Sequence, residues 1–167
     1  MSRNITVLFL PLKEQIIGHL LGDGSINYSK TSVNPYFHFS QAFKKFDYFW
    51  DSFNFLSYLC ESLPNLNISR RNNKLTTNIY FITRSYPFLK QLHSLFYKDI
   101  NGKYIKYIYD DLIWNLSPRV LAFWLMDDGS NAKSGCFLHT KNLNFTFEDT
   151  NKLAGMLHYC FNLNVTV

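Results

Sequence analysis

Two apolar runs stand out along the chain. The first, Ile16-Ile17-Gly18-His19-Leu20-Leu21, closes in Gly22-Asp23-Gly24-Ser25; the second, Leu121-Ala122-Phe123-Trp124-Leu125-Met126, closes in Asp127-Asp128-Gly129-Ser130. Pro11 and Pro118 introduce them, and proline suits a first helical turn, where its missing N–H would have no partner. Ser117 stands where an N-cap belongs, and the glycine after each run suits a C-cap. The pattern predicts two short buried helices, each releasing an aspartate at its C-terminal end. Gly18 and Gly22 lie on one face of the first. Glycine inside a helix costs about 1 kcal/mol relative to alanine, so this spacing points to a second backbone packed very close.

Between the runs the period changes. Ser25 to Ser29 and Tyr36 to Ala42 read as strands; Phe37 and Phe39 alternate with His38 and Ser40, as on a sheet with one core face and one wet face. From Lys44 to Glu61 the stripe Phe46, Phe49, Trp50, Phe53, Leu56 and Leu59 has helical spacing and is assigned to the core. Ile68 to Arg71 and Lys74 to Thr83 form a predicted hairpin around Asn72-Asn73. Tyr86 to Tyr97 is a further amphipathic helix, Asp99 to Ile108 a loop carrying Lys103 and Lys106, and Asp110 to Asn115 a short helix. After the second run the order restarts. Asn131 to Gly135 reads as a turn and Cys136 to Lys141 as a strand. A helix from Thr146 to about Phe161 has Asp149 completing a variant capping box, and Asn164 to Val167 is extended. The expected fold is α+β: one full αββαββα unit (residues 1–116) and a shortened copy (117–167) lacking its second hairpin and last helix.

Composition narrows the class. Apolar residues make up 47% and aromatics 18% of the 167 residues, enough for a sizeable core and too much for global disorder. A net charge of +5 permits an anionic partner without requiring one. Cys60, Cys136 and Cys160 are scattered and odd in number, which reads as core thiols in a reducing compartment and not as a disulfide framework or zinc site. No run of eighteen apolar residues suggests a membrane span, and Met1 to Leu10 makes a poor signal peptide. Abundant Phe, Tyr, Asn, Ile and Lys against scarce Ala, Gly and Arg resembles the bias of an A+T-rich genome, such as that of a mitochondrion or, second, a plastid.

A proline-led helix ending in Gly22-Asp23-Gly24-Ser25, with a partner about 100 residues later, resembles the LAGLIDADG homing endonucleases. Leu121 to Gly129 is similar to the second motif of the two-motif branch that includes organellar intron endonucleases, and Ile16 to Gly24 to its first motif. Leu138-His139-Thr140 and Phe145-Thr146-Phe147-Glu148 are similar to segments that follow the second motif. The resemblance implies motif helices packed about a pseudo-two-fold axis, with saddle-shaped antiparallel sheets in the DNA major groove. It also implies that a full-length chain acts as a monomer on double-stranded DNA. The last acid of each motif, Asp23 and Asp128, becomes a metal ligand and catalytic residue. Asp127 falls at a position where the family tolerates variation. A basic residue near each scissile phosphate is also implied. Lys103 is the closest match and Lys106 the alternative, in a loop that departs from the family's lysine-then-proline pattern.

The chemistry favours a cation at these acids. An aspartate at a helix C-terminus faces the negative end of the macrodipole, at about 0.3–1 kcal/mol, and two such helices side by side add like-charge repulsion. Mg²⁺, with Mn²⁺ as substitute, fits because it takes hard oxygen ligands, uses one or two carboxylates and keeps several waters. DNA readout is assigned to polar strand positions: Ser25, Asn27, His38, Ser40, Gln41, Arg70, Arg71, Lys74, Thr76, Asn78, Lys133, His139 and Lys141. The expected activity is site-specific, Mg²⁺-dependent double-strand DNA cleavage. Competing expectations are an RNA-binding intron maturase on the same scaffold and an inactive partial product, the latter because the second unit is short.

Overall fold

The computed structural model describes residues 6–71, 74–140 and 145–167, the side chains of Arg71 and Lys74 excepted. The first apolar run forms helix α1 (Leu10–Leu21) and the second forms α4 (Pro118–Asp128). Pro11 occupies the first turn of α1, and the Ser117 hydroxyl accepts from the Val120 N–H at 3.3 Å to cap α4. Seven consecutive residues of α1, Gln15 to Leu21, are buried. A helix apolar on all sides has neighbours on all sides, and here one of them is α4.

Glycine sets how close the two helices come. A Cβ on Gly18 would stand 2.5 Å from Phe123 Cβ and 2.7 Å from the Val120 carbonyl, and one on Gly22 would run into the Asp127 side chain. The anticipated close packing is therefore real, and its partner is the other motif helix. Gly22 and Gly129 cap their helices without positive φ (−112° and −81°). At Gly22, want of room and not left-handed backbone accounts for the glycine.

Strands β1 (Gly24–Asn27), β2 (Tyr36–Ala42), β3 (Asn65–Arg71) and β4 (Lys74–Ile82) form one antiparallel sheet in the order β1-β2-β4-β3. Its core face carries Phe37, Phe39 and Phe81 against Phe49 and Phe53 of α2 (Phe46–Leu56). The Phe39 and Phe49 rings stack with centroids 6.0 Å apart and planes 2° from parallel; each such side chain contributes roughly 1.5–3 kcal/mol by burial. The predicted helix over 44–61 is shorter than expected, flanked by 3₁₀ turns at Phe43–Lys45 and Ser57–Leu59. Helix α3 (Phe88–Phe96) follows the sheet.

Residues 99–108, expected as a loop, instead contain a hairpin of β5 (Tyr97–Ile100) and β6 (Lys103–Lys106). Asn101 (φ 54°) and Gly102 (φ 78°) form its turn, the left-handed pair that matches strand twist, and Asp99 Oδ1 accepts from the Gly102 N–H at 2.8 Å. A 3₁₀ helix, Asp110–Asn115, leads into α4. Residues 131–135, expected as a turn, begin in strand: β7 (Gly129–Ala132) starts at the motif end and pairs with β8 (Gly135–Leu138). Helix α5 (Phe147–Phe161) opens on the anticipated capping box, Thr146 Oγ1 accepting from Asp149 N–H and Asp149 Oδ2 from Thr146 N–H. Asp149 Oδ1 also accepts from the Ile108 N–H at 3.2 Å, joining this helix to the exit of β6. Asn164 to Val167 has no regular structure. Of the three cysteines only Cys60 is buried; Cys160 on α5 is half-buried, and Cys136 is exposed on β8, which has a single strand neighbour among the described residues. No helix among the described residues is long and apolar enough to cross a membrane. The Asn72-Asn73 turn and Lys141 lie outside the described residues.

Candidate active site

The C-terminal ends of α1 and α4 meet, and polar groups converge there. Asp127 lies at the centre. Its side chain is fully buried, and its Oδ2 accepts from His19 Nδ1 at 3.0 Å and from the Asp23 N–H at 3.2 Å. Its Oδ1 accepts from the Tyr48 hydroxyl at 2.6 Å and from Gln41 Nε2 at 3.3 Å. Gln15 Nε2 approaches His19 Nε2 at 3.3 Å and the Ser52 carbonyl at 3.4 Å. An amide nitrogen only donates, so His19 Nε2 accepts and Nδ1 carries the proton given to Asp127.

Asp23 and Asp128 flank this centre. Gln41 Nε2 donates to Asp23 Oδ2 at 2.7 Å. Asp128 Oδ2 is buried without a hydrogen-bond partner, while the Asp128 carbonyl accepts from the His139 N–H at 3.0 Å. Burial and the neighbouring carboxylates push the Asp128 carboxyl up to about 7, against the opposing pull of Lys106 and Lys45. Asp23, open to solvent on one side, is raised by burial of its carboxyl and then by Asp127. Burial, followed by the Asp127 charge and hydrogen bond, raises the Tyr48 hydroxyl well above the usual phenol range.

Each helix end is met by a lysine. Lys106 Nζ, on β6, donates to the carbonyls of Leu20 (2.8 Å), Gly24 (2.9 Å) and Gly22 (3.5 Å). Lys45 Nζ donates to the carbonyls of Asp127 (2.9 Å) and Met126 (3.3 Å). Both sit at the negative end of a helix dipole, where a cation is stabilising. Burial lowers the Lys106 ammonium to about 8 despite three nearby carboxylates. So part of the positive charge that these helix ends require comes from the chain itself.

The sequence-predicted residues divide accordingly. Asp23 and Asp128 come together, whereas Lys103 is exposed on β6; Lys106, three residues on, is the lysine of this strand whose ammonium hydrogen-bonds the end of α1. Gln41, expected on the wet face, is buried and turned toward the carboxylates. Ser25, His38 and Ser40 are half-buried and Asn27 is exposed, on the face of β1 and β2 opposite Phe37 and Phe39. Ser25 lies opposite His38, whose ring meets that of Tyr80 at a tilt, centroids 5.5 Å apart, and burial lowers the His38 imidazole. Asn78 and Thr76 continue on β4, with Thr76 bonded to Ser69 across the ladder at 2.8 Å. Arg70 pairs with Leu75 and is exposed. Its parity in the strand differs from that of Ser69, opposite Thr76, so the two belong to opposite faces. Lys133 and His139 are exposed on the β7–β8 unit, and His139 Nε2 lies 2.7 Å from Ser130 Oγ. Sequence reasoning missed His19, Lys45 and Tyr48 and gave Asp127 no role. One signal was available: a lone histidine inside an otherwise apolar, fully buried run requires a polar partner.

Two closely packed helices, each delivering a terminal carboxylate to one centre beside an antiparallel sheet, define a paired-motif α+β protein. The sequence matches the family described as LAGLIDADG DNA endonuclease over residues 13–167, and the chain belongs to that family. It is 32% identical over 158 residues to the cytochrome b mRNA maturase bI2 of Debaryomyces hansenii, with 92% of this chain and 58% of that protein aligned. It is 28% identical over 173 residues to the protein of the same name from Saccharomyces cerevisiae, at 100% and 40% coverage. The chain thus spans about half the length of these curated relatives. The homing endonuclease I-WcaI bound to its DNA recognition sequence superimposes with a TM-score of 0.81 at 26% identity, covering 96% of this chain and 72% of that one.

Proposed function

We propose that the chain is part of a site-specific double-strand DNA endonuclease that hydrolyses phosphodiester bonds with a divalent cation, Mg²⁺ or Mn²⁺, held by Asp23 and Asp128. The observation that carries the reading is the meeting of these two carboxylates at the ends of the contacting helices, one of them with a buried oxygen that has no partner. A hard carboxylate oxygen without a protein donor, such as Asp128 Oδ2, suits a cation that needs only one or two carboxylates. Among the described residues no cluster of three or more His, Cys, Asp or Glu side chains is arranged as a metal cage. When bound, the cation supplies an activated water and neutralises charge on the leaving oxygen.

The chain's own groups prepare the site. Gln41 occupies one oxygen of Asp23 and fixes the carboxylate's rotation. Lys106 and Lys45 keep cationic charge beside three acids, which lowers the repulsion a phosphodiester meets on approach. In this reading Lys106, rather than Lys103, is the assisting lysine. Ser25, Asn27, His38, Ser40, Asn78 and the β3–β4 hairpin form the DNA-facing surface, with residues 1–116 and 117–167 as the two repeats. Double-stranded DNA as partner is supported by the I-WcaI complex. A second reading, an RNA-binding maturase, is supported by the names of the two relatives. An organellar origin, mitochondrial first, is supported by those same names and by the composition.

The test incubates the chain with duplexes spanning the insertion site of its encoding intron. Mg²⁺-dependent cutting of both strands is expected. Asp23→Asn and Asp128→Asn should each slow it by about a hundredfold or more, in keeping with the several kcal/mol a bound cation contributes. Unchanged cleavage by either variant would remove that residue from the site. Splicing that survives the double variant would favour the maturase.

A further inference from the structure

Asp127 is the most thoroughly hydrogen-bonded carboxylate among the described residues, and the mechanism above leaves it unused. An ionised carboxylate has about four lone-pair positions. All four of those on Asp127 are addressed: Tyr48 and Gln41 at Oδ1, His19 and the Asp23 N–H at Oδ2. No lone pair is left for a cation, and the side chain has no exposed surface. Its neighbour Asp128 is the opposite case, with one oxygen buried and unpartnered. Two consecutive acids in one motif therefore have different chemistry.

Two of the four bonds lead to the same place. The Asp23 N–H fixes the backbone that carries the first motif's carboxylate. Gln41 Nε2, held by Asp127 Oδ1 at 3.3 Å, gives its other proton to Asp23 Oδ2 at 2.7 Å, which fixes the side chain. His19 and Tyr48 hold Asp127 in turn. The corresponding position of the first motif is Gly22, whose missing side chain is the space against which Asp127 packs. Asp128 consequently receives no reciprocal support.

We propose that Asp127 is a positioning residue: reaching from the second motif, it sets the backbone and rotamer of Asp23 in the first, without itself holding a cation. The proposal rests on the reading of Asp23 as a cation-holding carboxylate. It makes the site asymmetric, with Asp23 preorganised across the helix pair and Asp128 dependent on the cation for its orientation.

The full chain is tested as wild type, Asp127→Asn, Gln41→Ala, the double variant and Asp23→Asn. Amide NMR is recorded without metal, and Mn²⁺ affinity by electron paramagnetic resonance. Asp127→Asn should shift the Asp23 backbone and Gln41 side-chain amide resonances and weaken Mn²⁺ binding by about tenfold. Because Asp127 and Gln41 act in one chain, the double variant should bind Mn²⁺ no more weakly than the worse single variant. Unmoved resonances, or losses that multiply as for independent sites, would overturn the proposal. If Asp127→Asn does not fold, Tyr48→Phe, which removes only the hydroxyl that holds Oδ1, must shift the Gln41 amide; no shift overturns it equally. Mn²⁺ binding unchanged in Asp23→Asn would defeat the cation reading instead, while the metal-free resonances still decide whether Asp127 positions Asp23.

Discussion

Asp128 is held with its carboxyl near neutrality by burial and by two neighbouring acids, and this makes stability without metal depend on pH in a defined sense. A carboxyl whose affinity for protons rises on folding stabilises the folded state only while protonated. Its penalty is absent below the unfolded value near 4, grows as pH rises toward about 7 and is complete above that. Asp23 acts in the same direction. Lys106, lowered to about 8, acts oppositely: its charged form is the costly one, and relief comes only as pH rises from about 8 past the unfolded value of 10.5. In metal-free denaturant titrations Asp128→Asn should exceed wild type by about 1–3 kcal/mol at pH 8, a figure discounted for partial exposure. The gain should vanish near pH 4 and shrink when Mg²⁺ is added to wild type. A variant less stable than wild type at pH 8 would contradict this. The carboxylates themselves were legible, because each ends a motif. Their supports were not. Tyr48 and His19 reach Asp127 from 79 and 108 residues away, and only the folded chain brings them together.

The helix pair behaves as a unit whose spacing is set by absent side chains. On an isolated helix, alanine at position 18 would be favoured over glycine by about 1 kcal/mol. Here the added Cβ meets Phe123 Cβ at 2.5 Å and a backbone carbonyl at 2.7 Å, neither of which can swing away. Overpacking of this kind costs roughly 1–3 kcal/mol, so the net sign reverses. Gly18→Ala should lower the denaturation midpoint and also weaken divalent-cation binding, since parting α1 from α4 parts Asp23 from Asp127. A stabilised variant would show that the helices are free to separate. The Gly18–Gly22 spacing made this contact readable in the sequence, as Pro118 with Ser117 made the start of α4. The β5–β6 hairpin was overlooked although Asn101-Gly102 is among the strongest short hairpin signals: the residues around it, Lys98 to Lys106, are so polar that no alternation shows. That oversight also concealed Lys106, since only strand pairing at Tyr97 opposite Lys106 brings its ammonium to the end of α1.

On the scale of the molecule, the order of elements repeats, α1-β1-β2-α2 being echoed by α4-β7-β8-α5, and the two motif helices form the seam between the copies. The repeat was legible from two similar apolar runs. Three features of the assembled molecule were not: both lysines at the helix ends come from the chain before α4, the central acid comes from α4, and supports cross the seam both ways, His19, Tyr48 and Lys45 reaching Asp127 and Asp127 reaching Asp23. Secondary-structure periodicity does not encode such crossings, because each partner sits in a different element with its own local pattern. The central claim is that the ends of both motif helices form one divalent-cation centre. Iron-directed cleavage of the protein backbone tests it most directly and needs no DNA target. Fe²⁺ bound in place of Mg²⁺, with ascorbate and peroxide, cuts the chain next to the metal, and the fragments are mapped by mass spectrometry. Scission is predicted at both Leu21–Gly24 and Met126–Gly129, suppressed by excess Mg²⁺ and by Asp23→Asn. Cuts at only one helix end, or elsewhere in the chain, would contradict a shared centre.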